Sequence, residues 1–205
     1  MKNILLMIAL AFSCSICNFA GKLTSNTNSS QPGPSKSSSS AAVEKAEPTA
    51  AQQSAIAGGK EVKWDKQGMT FNVPPKWNET TNESKSLVWA APGTAASLIV
   101  SISPMSEDFP TETSINAFFD GAKNRAKNGE VDEVKWIEID GLKGVQFREA
   151  NPEKPDGFRR LQWLAYRKYA GQVQLVNVML ATTGKEYARQ QDAMYGVLYS
   201  TKLIH

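Results

Sequence analysis

Between Ala20 and Lys63 the chain carries no aromatic residue, and all five of its tryptophans lie beyond that stretch. A packed core draws most of its buried area from large apolar and aromatic side chains, so this break assigns the fold to residues 60–205. The stretch from 21 to 59 is filled instead by Pro32, Gly33, Pro34, the serines at 37–40 and many alanines. Such a segment buries too little apolar surface to offset the entropy of ordering it, and is expected to be a disordered linker. The remaining 146 residues are one domain's length. At that size folding removes roughly two-thirds of the unfolded surface from water, enough to be stable without disulfides. The domain has none to use, because both cysteines, Cys14 and Cys17, precede it.

The first 20 residues read as an export signal. Lys2 precedes an unbroken apolar run from Ile4 to Phe12, and Ser13-Cys14 follows at once. Nine apolar residues are too few to span a hydrocarbon layer, which takes ~20 in a helix. Leu10-Ala11-Phe12-Ser13-Cys14 resembles a bacterial lipobox, which makes Cys14 the expected lipidation site, with Cys17 behind the bulky Ile16 as the weaker candidate. A plain signal-peptidase cut near Asn18-Phe19-Ala20, and an uncleaved anchor, are the other two readings. Measured from Cys14, the linker would be a spacer with a span of roughly 40 Å. A spacer of that kind suits a domain held at a membrane surface.

The domain reads as strands interrupted by two helices. Met69, Phe71 and Val73 alternate with polar residues until Pro74-Pro75 stops the strand. Strands are expected over 87–91 and 97–103, joined through Pro92-Gly93, with a loop over 78–84. Asp140-Gly141 suits a two-residue type I′ turn, since both central residues there need positive φ, and so marks a hairpin. Ala170-Gly171 joins a second hairpin of two long apolar strands, 160–169 and 172–181. Over 114–128, Ile115, Phe118, Phe119, Ala122 and Ala126 form one apolar stripe at helical spacing, with Gly129 as the stop. A second helix opens on Thr183-Gly184-Lys185-Glu186, a capping-box pattern, and buries Tyr187, Met194, Val197 and Leu198 on its way to Ser200. Strands, helix, strands, helix around an antiparallel sheet make an α+β layer architecture.

These residues carry a resemblance. Gly68-Met69-Thr70-Phe71-Asn72-Val73-Pro74-Pro75-Lys76-Trp77 resembles the glycine–strand–proline–tryptophan opening of the PsbP-like superfamily. The middle helix, the Asp140-Gly141 hairpin, the two long strands and the ending Ser200-Thr201-Lys202-Leu203 continue the likeness over residues 61–203. What it implies is an α/β/α sandwich used as a non-catalytic binding or assembly module, in a superfamily that includes bacterial envelope lipoproteins. Fold alone does not choose among the functions such sandwiches serve.

Catalytic patterns are sparse. The one histidine is the last residue, His205, so Ser–His and Cys–His nucleophile pairs lack a base. No zinc spacing and no glycine-rich phosphate loop occurs, and neither a cofactor nor a metal is expected. Paired carboxylates, Asp132 with Glu133 or Asp140 with Glu149, leave open an envelope hydrolase. An apolar cavity between sheet and helix would instead make a lipid or small-molecule carrier. Residues 60–205 hold 19 Lys and Arg against 18 Asp and Glu, and this balance excludes the basic face of a nucleic-acid binder.

The expected binding region is the loop 150–158, rich in turn formers, with Arg148, Arg159 and Arg160 at its base to hold an anion or an acidic partner. Gln146, Gln162 and Gln174 would extend that polar face. The plainer alternative is a solvated hairpin whose arginines pair with Glu149, Glu153 and Asp156. Trp77, Trp89, Trp136 and Trp163 are expected mostly in the core. The sequence thus points to a membrane-tethered, non-enzymatic module of the bacterial envelope with a protein partner, lipid-anchored at the outer membrane or cell surface, or else secreted or periplasmic.

Overall fold

The computed structural model describes residues 42–204, so the leader with Cys14 and Cys17 and the start of the expected linker lie outside the described residues. The elements in chain order are β1 (Glu44–Lys45), α1 (Ala50–Ile56), β2 (Lys60–Trp64), β3 (Met69–Val73), β4 (Asn78–Asn82) and β5 (Ser86–Ala90). There follow β6 (Ser97–Met105), α2 (Thr111–Lys127), β7 (Val131–Ile139) and β8 (Leu142–Glu149). The chain closes with β9 (Phe158–Tyr169), β10 (Gln172–Thr183), α3 (Gly184–Tyr199) and β11 (Lys202–Leu203).

Two tight turns set the register. Asp140 and Gly141 have φ of 49° and 81°, and Ala170 and Gly171 have 50° and 76°, so both turns take the left-handed backbone that a two-residue hairpin needs. They fix Ile139 opposite Leu142 and Tyr169 opposite Gln172. From these hairpins grows an eight-stranded sheet in the order β1-β7-β8-β9-β10-β6-β5-β4, antiparallel except where β1 runs beside β7. A second sheet, β11-β3-β2, has three strands.

Side chains alternate across the large sheet, and each face is covered differently. On one face α2 packs Ile115, Phe119, Ala122 and Ala126 against Trp136, Val145, Phe147 and Leu164. On the other face α3 and the small sheet meet Leu161, Trp163, Val176, Val178 and Leu180, with Trp64, Phe71, Tyr187 and Met194 filling the space between. Each such fully buried aliphatic or aromatic side chain contributes ~1.5–3 kcal/mol. The result is the α+β, α/β/α sandwich that the sequence pattern implied. Trp64, Trp77, Trp136 and Trp163 are all buried, and Trp89 packs partly buried against the same core.

Four expectations change. The expected linker boundary at 59 comes too late, because residues 44–57 are ordered against the sandwich. Thr49 and Gln52 form a capping box at the start of α1, Ile56 packs on the core, and the backbone of Gln52 lies against Gly196 of α3. A Cβ at Gly196 would stand 2.5 Å from the Gln52 carbonyl oxygen, so the missing side chain is what lets the two helices meet. Phe118, expected in the buried stripe of α2, is 37% exposed, since α2 turns Phe119 and not Phe118 onto Trp136. Thr183 makes no side-chain cap to α3. The first amides of that helix instead donate to the carbonyls of Gly157 and Pro155, at 2.9 Å each. Finally, residues 78–82 form edge strand β4 instead of a loop.

Candidate functional site

The polar chemistry of the domain concentrates at the β7–β8 and β8–β9 end of the large sheet, and a bulge in β7 builds it. Val131 pairs with Glu149 and Glu133 with Arg148, which leaves Asp132 as an extra residue between them. The bulge breaks strict alternation, and the neighbouring carboxylates of Asp132 and Glu133 both reach Arg148. Arg148 donates from Nε to Asp132 at 2.6 Å, and its Nη1 forms an ion pair with Glu133 at 3.1 Å. Arg159 donates to the other oxygen of Asp132, and through Nε to the Glu149 carbonyl at 2.8 Å. Its guanidinium lies 3.9 Å from the centre of the Tyr187 ring on α3, an arrangement in which the ring face stabilises the cation.

The network extends across α3 and β1. Tyr195 donates its hydroxyl to Glu133 at 2.6 Å and accepts from Arg148 at 3.0 Å. Gln146 donates to the other Glu133 oxygen at 2.6 Å, and Lys135 joins Glu133 to Glu44. Burial and the bond to Glu133 push the Tyr195 hydroxyl pKa well above its ordinary value. Burial works against the Arg148 charge, but the bond to Asp132 and the charges of Tyr195, Glu133 and Asp132 outweigh it, so its pKa rises. Burial raises the pKa of Tyr187 too. These tyrosines therefore stay protonated and Arg148 stays charged at neutral pH, so this belt holds geometry more readily than it moves protons.

Arg160 belongs elsewhere. It is one residue beyond Arg159 on a strand, so it points to the opposite face, the α2 side. There it donates to both Glu149 oxygens at 3.1 Å, and Arg125 of α2 reaches the same carboxylate at 3.4 Å. Phe158, two residues earlier and 54% exposed, lies with its ring 5.9 Å from the Arg160 guanidinium. The three arginines expected at one site are thus split: Arg148 and Arg159 share Asp132 under α3, and Arg160 stands at a rim with Phe158. The three glutamines do not form one face either. Gln162 bonds Asn177 on the α2 side, and Gln174 bonds Gln67 and Arg167 in a separate buried cluster.

The loop 150–158 is braced by what it touches. Pro152 lies against Gly184, and the carbonyls of Pro155 and Gly157 take the first amides of α3. Asp156, expected to answer an arginine, pairs with Lys185 instead. Sequence reasoning missed Tyr187 and Tyr195 as partners. Glu133 opposite Arg148 follows from counting back along both strands from Asp140-Gly141, but the bulge that delivers Asp132 has no local signature.

The alternatives fare differently. Asp132 and Glu133 are engaged by Arg148, while Asp140 and Glu149 stand at opposite ends of β8 and do not converge. Asp140 accepts from Lys202 and the Leu203 amide. The space between α3 and the sheet, where a carrier needs a cavity, holds Trp64, Trp163, Tyr187 and Met194, each at most 2% exposed. Among the described residues no group of three or more His, Cys, Asp or Glu is placed to hold a metal, and no helix is long and apolar enough to cross a membrane.

No protein-family model matches the chain, and no curated protein matches it in sequence. Solved structures do. LpqN of Mycobacterium tuberculosis, described as involved in cell envelope biogenesis, matches at 13% identity over 72% of this chain and 86% of that one, with a TM-score of 0.52. Cyanobacterial PsbP from Synechocystis matches at 14% identity over 71% of this chain and 92% of that one, with a TM-score of 0.46. A Ran-binding protein of Saccharomyces cerevisiae matches at 15% identity, 71% and 95% coverage and a TM-score of 0.40. The likeness to LpqN is one of fold, and the α/β/α sandwich expected from residues 61–203 is the fold the chain adopts.

Proposed function

We propose that this chain is a membrane-tethered, non-catalytic binding or assembly module of the bacterial cell envelope. A lipid on Cys14 holds it, and a protein partner docks at the rim made by Phe158 and Arg160. The observation that carries the reading is Phe158. It is a large aromatic side chain, 54% exposed, set beside a guanidinium whose side chain is 41% exposed. Aromatic and arginine side chains dominate the energetics of protein contacts. This pair stands on a loop and strand braced by α3, so little ordering entropy is left for the partner to offset. The rim pairs Arg125 and Arg160 with Glu149 and Glu130, so its charges are balanced and a partner meets a neutral, polar edge beside Phe158. Arg148 and Arg159 act behind it as supports for the loop.

The envelope location draws on the leader pattern before Cys14 and on the fold shared with LpqN, whose description places that protein in envelope biogenesis. The test is recovery of partners with the full chain from native membranes after mild crosslinking. A Phe158→Ala, Arg160→Glu variant that melts like wild type should lose its partner at least tenfold. Unchanged recovery contradicts the rim, and turnover of a glycan, peptide or ester by the purified chain contradicts the non-catalytic reading.

A further inference from the structure

The α2 side of the large sheet is only half covered. Helix α2 packs over β7, β8 and the near edge of β9. Beyond it, β10, β6 and β5 present two cross-strand rows, Ser86–Ser101–Asn177 and Val88–Ile99–Met179, all half-buried. None of these six carries a charge, in a chain of which 21% is charged. Depletion of charge marks the core of protein interfaces. The flank of α2 that borders this floor is mostly small: Ala117, Phe118, Gly121 and Ala122 line a shallow groove of about 360 Å³ with Phe147, and its one charge, Arg125, is held by Glu130 and Glu149. Gly121 sits in the interior of a 17-residue helix, and nothing lies within 4 Å of where its Cβ would be. Glycine there weakens the helix by roughly 1 kcal/mol relative to alanine, and no contact within the domain requires it. Close approach of another backbone would.

We propose that two copies of this chain pair through this face about a two-fold axis, α2 against α2. Packed helices lie 8–10 Å apart, which is about two strand spacings of ~4.8 Å. A second α2 laid beside the first at Ala117 and Gly121 therefore comes down over β10, on the uncovered floor. The two-fold operation returns the favour, so each copy supplies the helix that the other lacks. Like residues oppose like across such an axis, and the neutral rows meet a helix flank whose one charge, Arg125, is already balanced by Glu130 and Glu149. Floor and flank each offer ~250 Å² from strand and helix dimensions. Two copies then bury about 1,000 Å² in all, the lower bound for a specific interface. The pair is accordingly reversible, and a shared tether at one membrane would favour it by raising local concentration.

Disulfide trapping in cells that express the full chain tests this, because the described residues contain no cysteine. Gly121→Cys, near the axis, should give a covalent homodimer on mild oxidation, well above the background of the chain with Cys14 and Cys17 alone. Lys185→Cys, on the far side of the sandwich, should not. Adding Ser101→Lys to Gly121→Cys sets like charges toward the helix of the other copy and should reduce the trapped dimer at least fivefold. Variants count only where protease resistance matches wild type; should Gly121→Cys fail that check, Ala117→Cys replaces it. Dimer at wild-type background from both positions, or trapping that Ser101→Lys leaves untouched, overturns the proposal. So does capture of a different protein in place of the second copy.

Discussion

Asp132 accepts from two guanidinium groups that differ in what they lose without it. Arg148 keeps Glu133, whereas Arg159, buried at 8% exposure, keeps only the Glu149 carbonyl and the ring of Tyr187. Removing one partner of a buried hydrogen-bonded charge leaves the other unsatisfied. Asp132→Ala should therefore cost ~1–3 kcal/mol in urea unfolding. Asp156→Ala, which breaks an exposed pair with Lys185, should stay within about 0.5 kcal/mol. Equal losses would remove Asp132 from its place as the keystone of the belt. The tyrosines give a pH signature of defined sign. Tyr187, Tyr195 and Tyr199 all have pKa values raised above 10.0, chiefly by burial. Their stabilising effect is fully present below the unfolded value of about 10 and is lost as pH rises toward the folded values. The urea midpoint should therefore vary little with these groups from pH 7 to about 9 and fall above about 10, with a shallower fall in Tyr195→Phe. A midpoint insensitive to pH between about 9 and 11 would contradict the burial of these hydroxyls. At this scale the sequence was partly legible. Arg148 facing Glu133 can be counted from the Asp140-Gly141 turn, but Arg159 and Arg160, adjacent in sequence, stand on opposite faces of their strand and make no single cluster.

Among the elements, α2 shows how little separates a core residue from a surface one. Phe118 and Phe119 are adjacent and equally apolar, and both fit a stripe at spacings of three and four. The helix rotates so that Phe119 stacks on Trp136 at 4.7 Å between ring centres, and Phe118 faces outward. Phe119→Ala should cost ~3 kcal/mol or more as a large-to-small change at a packed position. Phe118→Ala should cost under about 1 kcal/mol in the monomer. The reverse order in thermal or urea unfolding would place the helix about 100° out of phase. Helix α1 is the other lesson. Its composition is that of a linker, and only the Thr49–Gln52 box, Ile56 and the missing side chain of Gly196 tie it to α3. A chain starting at residue 60 should melt lower than one starting at 42, and Gly196→Ala should lower the longer form toward the shorter. Equal melting temperatures for the two truncations would show that α1 adds nothing. Strands β3, β5 and β6 and both tight hairpins could be read from alternation and turn residues. Strand β4 could not, because Asn78–Asn82 is an edge strand with no apolar period, and in β2 the alternation is confined to Val62 and Trp64, too short a run to mark a strand.

For the whole molecule, the sandwich explains position and rigidity more than chemistry. Helix α3 braces the loop 150–158, and the polar belt under it is closed on itself, which leaves Phe158 exposed at the rim beside Arg160, itself held by Glu149. The proposed tether belongs to this scale as well. Cys14→Ser should release the chain from the membrane fraction or leave it unprocessed, and a mature start beyond Cys17 without acyl chains by intact-mass analysis would remove the anchor. The most direct test of the account as a whole is a photo-reactive side chain at position 158 of the full chain, irradiated in intact cells. The account predicts one dominant adduct with an envelope protein, recovered in the membrane fraction and lost when Arg160 is changed to Glu. Efficient incorporation with no adduct at 158, in a chain that remains folded and localised, would contradict it.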